Sequence, residues 1–460
     1  METTEAAVAV VPTRWERIIG EAAPTFRLAF PAVLAELGWM AMGTVDTLMV
    51  GRVSPEAIGA VGLGSVIFLI PAIFAIGVLL GLDTLVSQAF GAGRLDECHR
   101  WLWHGSYLSL MLSLPLAGLI WVGLSPLLAV AGLNPRVLVL SRPYLDILAW
   151  SLPPLLLYTT FRRYLQALSR VTPVAIALVT ANLVNLGGNW VLIHGHLGFP
   201  ALGVAGSAWA TVVARVYMAA FLLAAIVWGE RQRGTGLFEA ERRLEVDRLR
   251  RLFRLGLPAA LQLTLEVGVF AAATALAARL EAFALAAHQI ALTAASITFM
   301  VPLGIASAGA VRVGQAVGRR DPHGAGAAGW AAIIFGGAFM LAAGLAFVIA
   351  PRAIVSPFTN DAAVIATAMR LLLVAAAFQL FDGLQVVTTG VMRGLGDTRT
   401  PMLCHLLGLW GLGLPLGWAL AFPAGLGIVG MWIGLSAGLI AVGGVLVGVW
   451  ARYARALSAG

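Results

Sequence analysis

Two carboxylates stand in long apolar runs with no other charge beside them: Glu266 in "LQLTLEVGVFAAATAL" and Asp382 in "FQLFDGLQVVTT". Gln262 precedes Glu266 by four residues, and Gln379, Asp382 and Gln385 recur at intervals of three. On a helix that spacing makes one polar ridge, with an amide beside each acid. Such a pair can exchange a proton or bind a cation; read minimally, it clamps two helices by hydrogen bonds. A second constellation lies in the first half: Asp46, with Asn182, Asn185 and Asn189 in "TANLVNLGGNW" at spacings of three and four. Carboxylate plus amide oxygens is a hard-donor set that suits a sodium ion or a protonated acid. The same residues also serve elsewhere as glue between helices.

The elements that position these groups must be membrane helices. The chain is 60% hydrophobic and 11% charged, with a mean hydropathy of +0.90, whereas soluble domains carry about 25% charged residues. Apolar runs long enough to cross roughly 30 Å of hydrocarbon predict twelve helices, over 25–50, 57–82, 101–124, 143–166, 173–194, 202–228, 255–279, 284–309, 328–350, 366–391, 401–422 and 427–451. Glu266 and Asp382 fall about halfway along their spans, where an acid costs about 2.5–3.5 kcal/mol on insertion scales and faces protein or a water-filled cavity.

There is no lysine, so the 30 basic residues are all arginine. Arg52, Arg136, Arg142, Arg279, Arg352 and Arg370 fall with the odd-numbered loops, Arg215 falls inside helix 6, and the others fall with the termini and even-numbered loops. The positive-inside rule then makes both termini cytoplasmic. Topology and anionic lipid head groups account for the net charge of +8, with no nucleic-acid partner required. The basic stretch "RQRGTGLFEAERRLEVDRLRRLFR" joins helices 6 and 7 and reads as a cytoplasmic linker bearing an amphipathic surface helix. The start of the chain lacks the pattern of a cleaved secretory signal, so helix 1 is expected to be its own anchor. Cys98 and Cys404 give neither a disulfide framework nor a metal-ligand spacing.

The chain repeats itself. Pro31 and Pro258, Pro173 and Pro401, and Trp190 and Trp418 recur at near-constant separation, "SQAFGAGRLD" returns in outline as "GQAVGRRD", and "LGVAG" as "LGIVG". Six helices used twice enter the membrane in the same sense, so the two copies should be related by a pseudo-two-fold axis along the membrane normal, with a cavity between them. The expected fold class is all-α integral membrane. It comprises a cytoplasmic segment 1–24, a six-helix lobe 25–228, a linker 229–254, a second six-helix lobe 255–451 and a cytoplasmic tail 452–460.

The segments "LAELGWMAMGTVDTLMVGRV", "SQAFGAGR", "NLVNLGGNWVLIHG", "RLFRLGLPAALQLTLEVGVF", "AAHQIAL", "VRVGQAVGRRD" and "LFDGLQVVTTGVMRGLGDTRTPM" together resemble the multidrug and toxic compound extrusion (MATE) family. The acids of helices 7 and 10 look most like its bacterial NorM branch. The resemblance spans about residues 25–450. It implies export of small organic cations or amphipathic drugs against an inward flow of sodium ions or protons, in the plasma (inner) membrane of a bacterium, by a protein working as a monomer among membrane lipids. It implies coupling or substrate roles for Asp46, Asn185, Asn189, Glu266 and Asp382. Sodium, if it is the ion, is expected at Asp46, Asn185 and Asn189 or at Glu266 and Asp382. No cofactor is expected, and without lysine no Walker-type phosphate loop exists.

Some residues depart from that pattern. Asp83 looks more like eukaryotic members, and Glu36 stands where NorM-type relatives have a neutral residue, so it reads either as an extra coupling acid or as the partner of Arg215. Asp146 reads as a helix-end cap as readily as a functional acid, and His288 as a packed polar residue. A dry site favours the neutral form of a carboxyl, so Glu266 and Asp382 are expected to hold protons until a cation displaces them. Rival classes fare less well. H-E-x-x-H, the zinc-hydrolase pattern, is absent, and a pore leaves two repeats around buried acids unexplained. A lipid-linked-precursor flippase of related fold is the alternative; it should place basic residues in the cavity, where this reading finds mainly acids and Arg215.

Overall fold

The structure, a computed structural model, describes residues 13–127 and 135–459. The predicted start of the chain (1–12) and part of the predicted loop between helices 3 and 4 (128–134) lie outside the described residues. Eleven helices are long and apolar enough to cross a membrane. They are α1 (Arg14–Val50), α2 (Pro55–Gly91), α3 (Leu95–Leu124), α5 (Thr172–His194), α6 (Val204–Arg233), α7 (Val246–Ala277), α8 (Ala282–Gly318), α9 (Pro322–Ile349), α10 (Ala362–Leu395), α11 (Arg399–Ala421) and α12 (Gly427–Leu457).

The remaining predicted crossing, α4, comes in two pieces, Pro135–Ala149 and Leu152–Ala167. The break has a local cause. Pro153 and Pro154 have no N–H to continue the ladder, and the turn before them tightens, with Trp150 N–H on Ile147 O at 3.1 Å and Ser151 N–H on Leu148 O at 2.9 Å. With this broken helix the fold is the expected twelve-helix architecture.

Helix starts are written in capping residues. α1 begins at Arg14 rather than at residue 25, because Thr13 and Glu16 form a reciprocal capping box: Glu16 N–H on Thr13 Oγ1 at 3.3 Å and Thr13 N–H on Glu16 Oε2 at 2.7 Å. Ser54, Asp321 and Asp361 cap α2, α9 and α10 by accepting from first-turn backbone N–H groups. The predicted amphipathic linker helix does not form as a separate element. α6 runs to Arg233, α7 starts at Val246, and the basic residues up to Arg254 are the first turns of α7. The short connector is pinned instead, by Glu230 accepting from Gly236 N–H at 2.7 Å and Leu237 N–H at 3.0 Å, and by His104 accepting from Glu245 N–H at 3.0 Å.

The two halves are joined at the end that carries the connector. α1 and α2 pack on α8 and α7, and the contact depends on glycine. A Cβ at Gly256 would lie 1.8 Å from Val78 O, and one at Gly91 2.1 Å from Gln315 O. Gly256→Val is therefore expected to express and insert normally but to hold the halves apart at this end. We expect its transport rate to fall by at least tenfold, about 1.4 kcal/mol in barrier terms. A wild-type rate would mean that this close approach is not visited in the working cycle.

Candidate functional site

In the first half, Asp46 on α1 is buried and accepts three hydrogen bonds. Asn185 Nδ2 donates to its Oδ1 at 3.0 Å, Asn189 Nδ2 to the same oxygen at 2.6 Å, and Thr211 Oγ1 to Oδ2 at 2.9 Å. Asn189 also donates to Asn185 Oδ1 at 3.2 Å, and its own Oδ1 is buried without a partner. Three donors converge on the carboxyl group, and the orphaned amide oxygen is a hard donor available to a cation. Asn182 does not join this group. It donates to Gly38 O at 3.0 Å and Leu178 O at 2.9 Å, which ties α5 to α1 well before Asp46. Thr211, on α6, completes the cluster from a helix that offered no sequence signal beyond a threonine.

Glu36 and Arg215 do not pair. Glu36 forms a buried ion pair with Arg162 on the second piece of α4. Arg215 donates to Ser151 Oγ and lies over the rings of Phe68 at 4.7 Å and Trp39 at 5.4 Å, a cation held by π-faces. Nor is Arg215 alone in the interior, since Arg162, Arg163 and Arg393 are buried as well. Asp146 caps nothing. It lies in the last turn of its helix, where no free N–H awaits a carboxylate, and Trp121 Nε1 donates to its backbone carbonyl at 2.9 Å. His288 is a packed polar residue, bonded at Nε2 to Thr274 Oγ1 at 2.8 Å and at Nδ1 by Trp432 Nε1 at 3.0 Å.

In the second half, α7, α10 and α11 bring one buried cluster together. Gln262 Nε2 donates to Glu266 Oε2 at 2.7 Å; Gln385 Nε2 donates to Glu266 Oε1 at 2.8 Å and to Asp382 Oδ1 at 3.3 Å. One amide thus bridges the two acids, which are only 7% and 6% exposed. Gln379, at the start of the predicted ridge, turns away and donates to Thr298 Oγ1 on α8 at 2.8 Å. The cluster includes a residue missed in the sequence, His405, whose Nε2 lies 2.7 Å from Gln385 Oε1 and 3.8 Å from Glu266 Oε2. Directly after His405, α11 widens into a π-helical stretch, Leu406–Gly413, a feature frequent at functional sites.

A third constellation closes the joined end. Asp83 Oδ2 receives Arg393 Nε at 3.1 Å from the opposite half and Arg163 Nη1 at 3.4 Å from its own, while Arg163 also donates to Ser307 Oγ at 2.7 Å. Around it Gln88 Nε2 donates to Gly394 O at 3.0 Å, Gln315 Nε2 to Ala167 O at 2.8 Å, and Arg312 pairs with Glu21 at 2.7 Å. Among the described residues no group of three or more His, Cys, Asp or Glu side chains could hold a metal ion.

Two six-helix halves, each with a buried acid held by amides and fastened together at one end, are the architecture of a membrane transporter. The chain belongs to the MatE family, a family of multidrug efflux transporters: its sequence pattern matches residues 31–191 and again 258–419, once in each half, as the internal repeat requires. The chain is similar to a probable multidrug resistance protein NorM of Mesorhizobium japonicum, 40% identical over 438 residues that cover 94% of each chain. It is 34% identical over 455 residues to one of Brucella suis, covering 97% of this chain and 95% of that one. Its fold matches the eukaryotic MATE transporter AtDTX14 with a TM-score of 0.86 at 20% identity, over 96% and 99% of the two chains. It also matches a multidrug resistance MATE family transporter solved in an outward-facing conformation, with a TM-score of 0.84 at 20% identity.

Proposed function

We propose that the protein exports small cationic or amphipathic compounds across the inner membrane of a bacterium in exchange for protons or sodium ions. The reading has the lobes 25–228 and 255–451 rocking about the linker 229–254, both termini cytoplasmic, and one chain working alone among lipids without cofactor or nucleic acid. The observation that supports it most is the Glu266–Asp382 pair bridged by Gln385. Two acids sharing one amide in a dry site favour a cation, or protons in its place. Drug and driving ion then compete for the same carboxylates, and alternation of access turns competition into exchange. With the termini cytoplasmic, the joined end is the cytoplasmic gate, and the conformation described is the one that faces outward. The membrane potential adds about 2.3 kcal/mol per 100 mV for each charge entering.

The buried arginines do not favour a flippase for anionic head groups. Arg162 is paired with Glu36, and Arg163 and Arg393 share Asp83, so each of these three already has a carboxylate partner in the protein. Equilibrium binding of tetraphenylphosphonium to the purified protein tests the proposal. Affinity is expected to weaken by at least tenfold as either proton or sodium concentration is raised across its physiological range; affinity indifferent to both ions would remove the exchange.

The Asp46 cluster is assigned to coupling rather than to drug recognition, because it lies in the other half from the acid pair and is already saturated with donors. Asp46→Asn should leave tetraphenylphosphonium affinity within about twofold while slowing ion-driven export by at least tenfold, and the double variant Asn185→Ala, Asn189→Ala should behave alike. Lost affinity with intact export kinetics would reverse the division between the halves.

A further inference from the structure

His405 belongs to the second-half cluster, yet the exchange described above makes no use of it. The ring is fully buried, and both of its nitrogens face acceptors. Nδ1 lies 2.7 Å from Pro401 O, so this nitrogen carries a hydrogen. Nε2 lies 2.7 Å from Gln385 Oε1 and 3.3 Å from Gln262 Nε2. Gln385 cannot freely turn its oxygen elsewhere, because its NH2 group is committed to Glu266 at 2.8 Å and Asp382 at 3.3 Å. While the acids hold the amide in that sense, a proton on Nε2 would meet that oxygen, and with Nδ1 also bearing hydrogen the ring would be an imidazolium beside the pair. When Nε2 loses its proton, two acceptors face each other and the Gln385 amide must reverse. Its NH2 then serves Nε2 and its oxygen faces the acids, which can use it only if a carboxyl is protonated. One amide thus makes a charged ring and a protonated carboxyl mutually exclusive.

A way out for the proton adjoins the ring. A small cavity is lined by Ala259, Gln262, Thr389, Arg393, Thr398 and Pro401. Gln262 and Pro401 both bond to His405, Thr389 Oγ1 is a buried hydroxyl with no protein partner, and Arg393 is the residue that holds Asp83 across the joined end. An unpartnered buried hydroxyl beside such a space is a hydrogen-bond partner for a water. The charged and titratable groups that face the ring are Glu266 from α7, Asp382 from α10 and, across the cavity, Arg393; α12, packed on α11, has no charged residue before Arg452.

We infer that His405 is a third proton-carrying group of this site, passing the coupling proton between Glu266 and the cavity that leads to the joined end. In the forward step the Glu266 carboxyl loses its O–H proton to Nε2 of the neutral ring, one O–H bond breaking and one N–H bond forming with no change in the charge of the site. The imidazolium then gives a proton to water in the cavity and returns to neutral. The inference rests on the export reading and selects the proton as the coupling ion.

Purified full-length protein and its His405→Gln variant test it, since glutamine keeps a donor toward Gln385 but cannot titrate. Proton release is measured in weak buffer as tetraphenylphosphonium binds between pH 5.5 and 8.5, the range in which an imidazole responds. The variant is expected to release at most half the protons per bound cation and to lose its pH-driven export by at least tenfold, with affinity at pH 8.5 within twofold of wild type. Thr389→Val, which borders the cavity but touches neither acid, should slow pH-driven export without altering affinity, and covers the case in which the histidine variant does not fold. Wild-type behaviour of both variants, or wild-type export driven by sodium alone, would overturn the assignment while leaving the export reading in place. Failure of the wild-type protein to bind or move the cation would instead defeat the export reading.

Discussion

Glu266→Gln protein is expected to insert and fold at wild-type levels and to lose nearly all export of organic cations, and Asp382→Asn should do the same. Glutamine has the size of a protonated glutamate and retains hydrogen-bonding capacity, so Gln262 and Gln385 can still meet it, with one amide turned. A structural clamp would tolerate that exchange. Insertion should, if anything, improve, because a mid-membrane charge costs about 2.5–3.5 kcal/mol and is removed. What glutamine lacks is a negative charge and an exchangeable acid proton, the two properties that exchange requires. A fall of a hundredfold or more, about 2.7 kcal/mol, is expected in initial export rate with unchanged protein per vesicle. Wild-type rates in well-expressed Glu266→Gln would reduce the cluster to packing.

The second large effect is expected at the joint between the halves. Asp83 is fully buried and, among the described residues, is the only carboxylate shared by Arg163 and Arg393. Asp83→Asn leaves two buried guanidinium groups with a neutral partner. Removing one member of a buried pair typically costs about 3–5 kcal/mol, and here the cost falls on the closed arrangement, since separation of the halves hydrates both arginines. A tenfold population shift needs only about 1.4 kcal/mol, so the variant should favour the state open at this end. Spin labels placed on either side of the joint should report longer distances, and export should fall by at least tenfold because the return to the closed form is disfavoured. An unchanged distance distribution would show that the glycine contacts and the α1–α8 packing hold the joint without the ion pairs.

Both acid sites were readable from the chain because each contains a pair of polar neighbours on one helix. Asn185 and Asn189, one turn apart, both reach Asp46. Asn182 lies within about 20° of Asn189 around the helix but seven residues, about 10 Å, along it, which sets it against Gly38 instead. The same argument separates Gln385, which reaches the acids, from Gln379, which reaches Thr298. Contacts between distant segments had no such signature. Arg162 and Arg163 close a predicted span and read as loop charges until the fold sets them against Glu36 and Asp83. His405 stands alone in an apolar run, and only the approach of α7 and α10 supplies its partners. Fold class was legible for the opposite reason: span length, arginine placement and the repeat are properties of the whole chain that local packing does not alter.

The central claim, that buried acids exchange an organic cation for an inward-moving ion, meets its most direct test in proteoliposomes loaded with a fluorescent organic cation. A proton gradient and a sodium gradient are imposed separately on vesicles holding wild-type or Glu266→Gln protein. The account predicts that at least one gradient drives the dye against its own concentration gradient in wild-type vesicles, and that neither does so in the variant. Dye that stays in place under both gradients in wild-type vesicles, or that moves equally well in the variant, would contradict it.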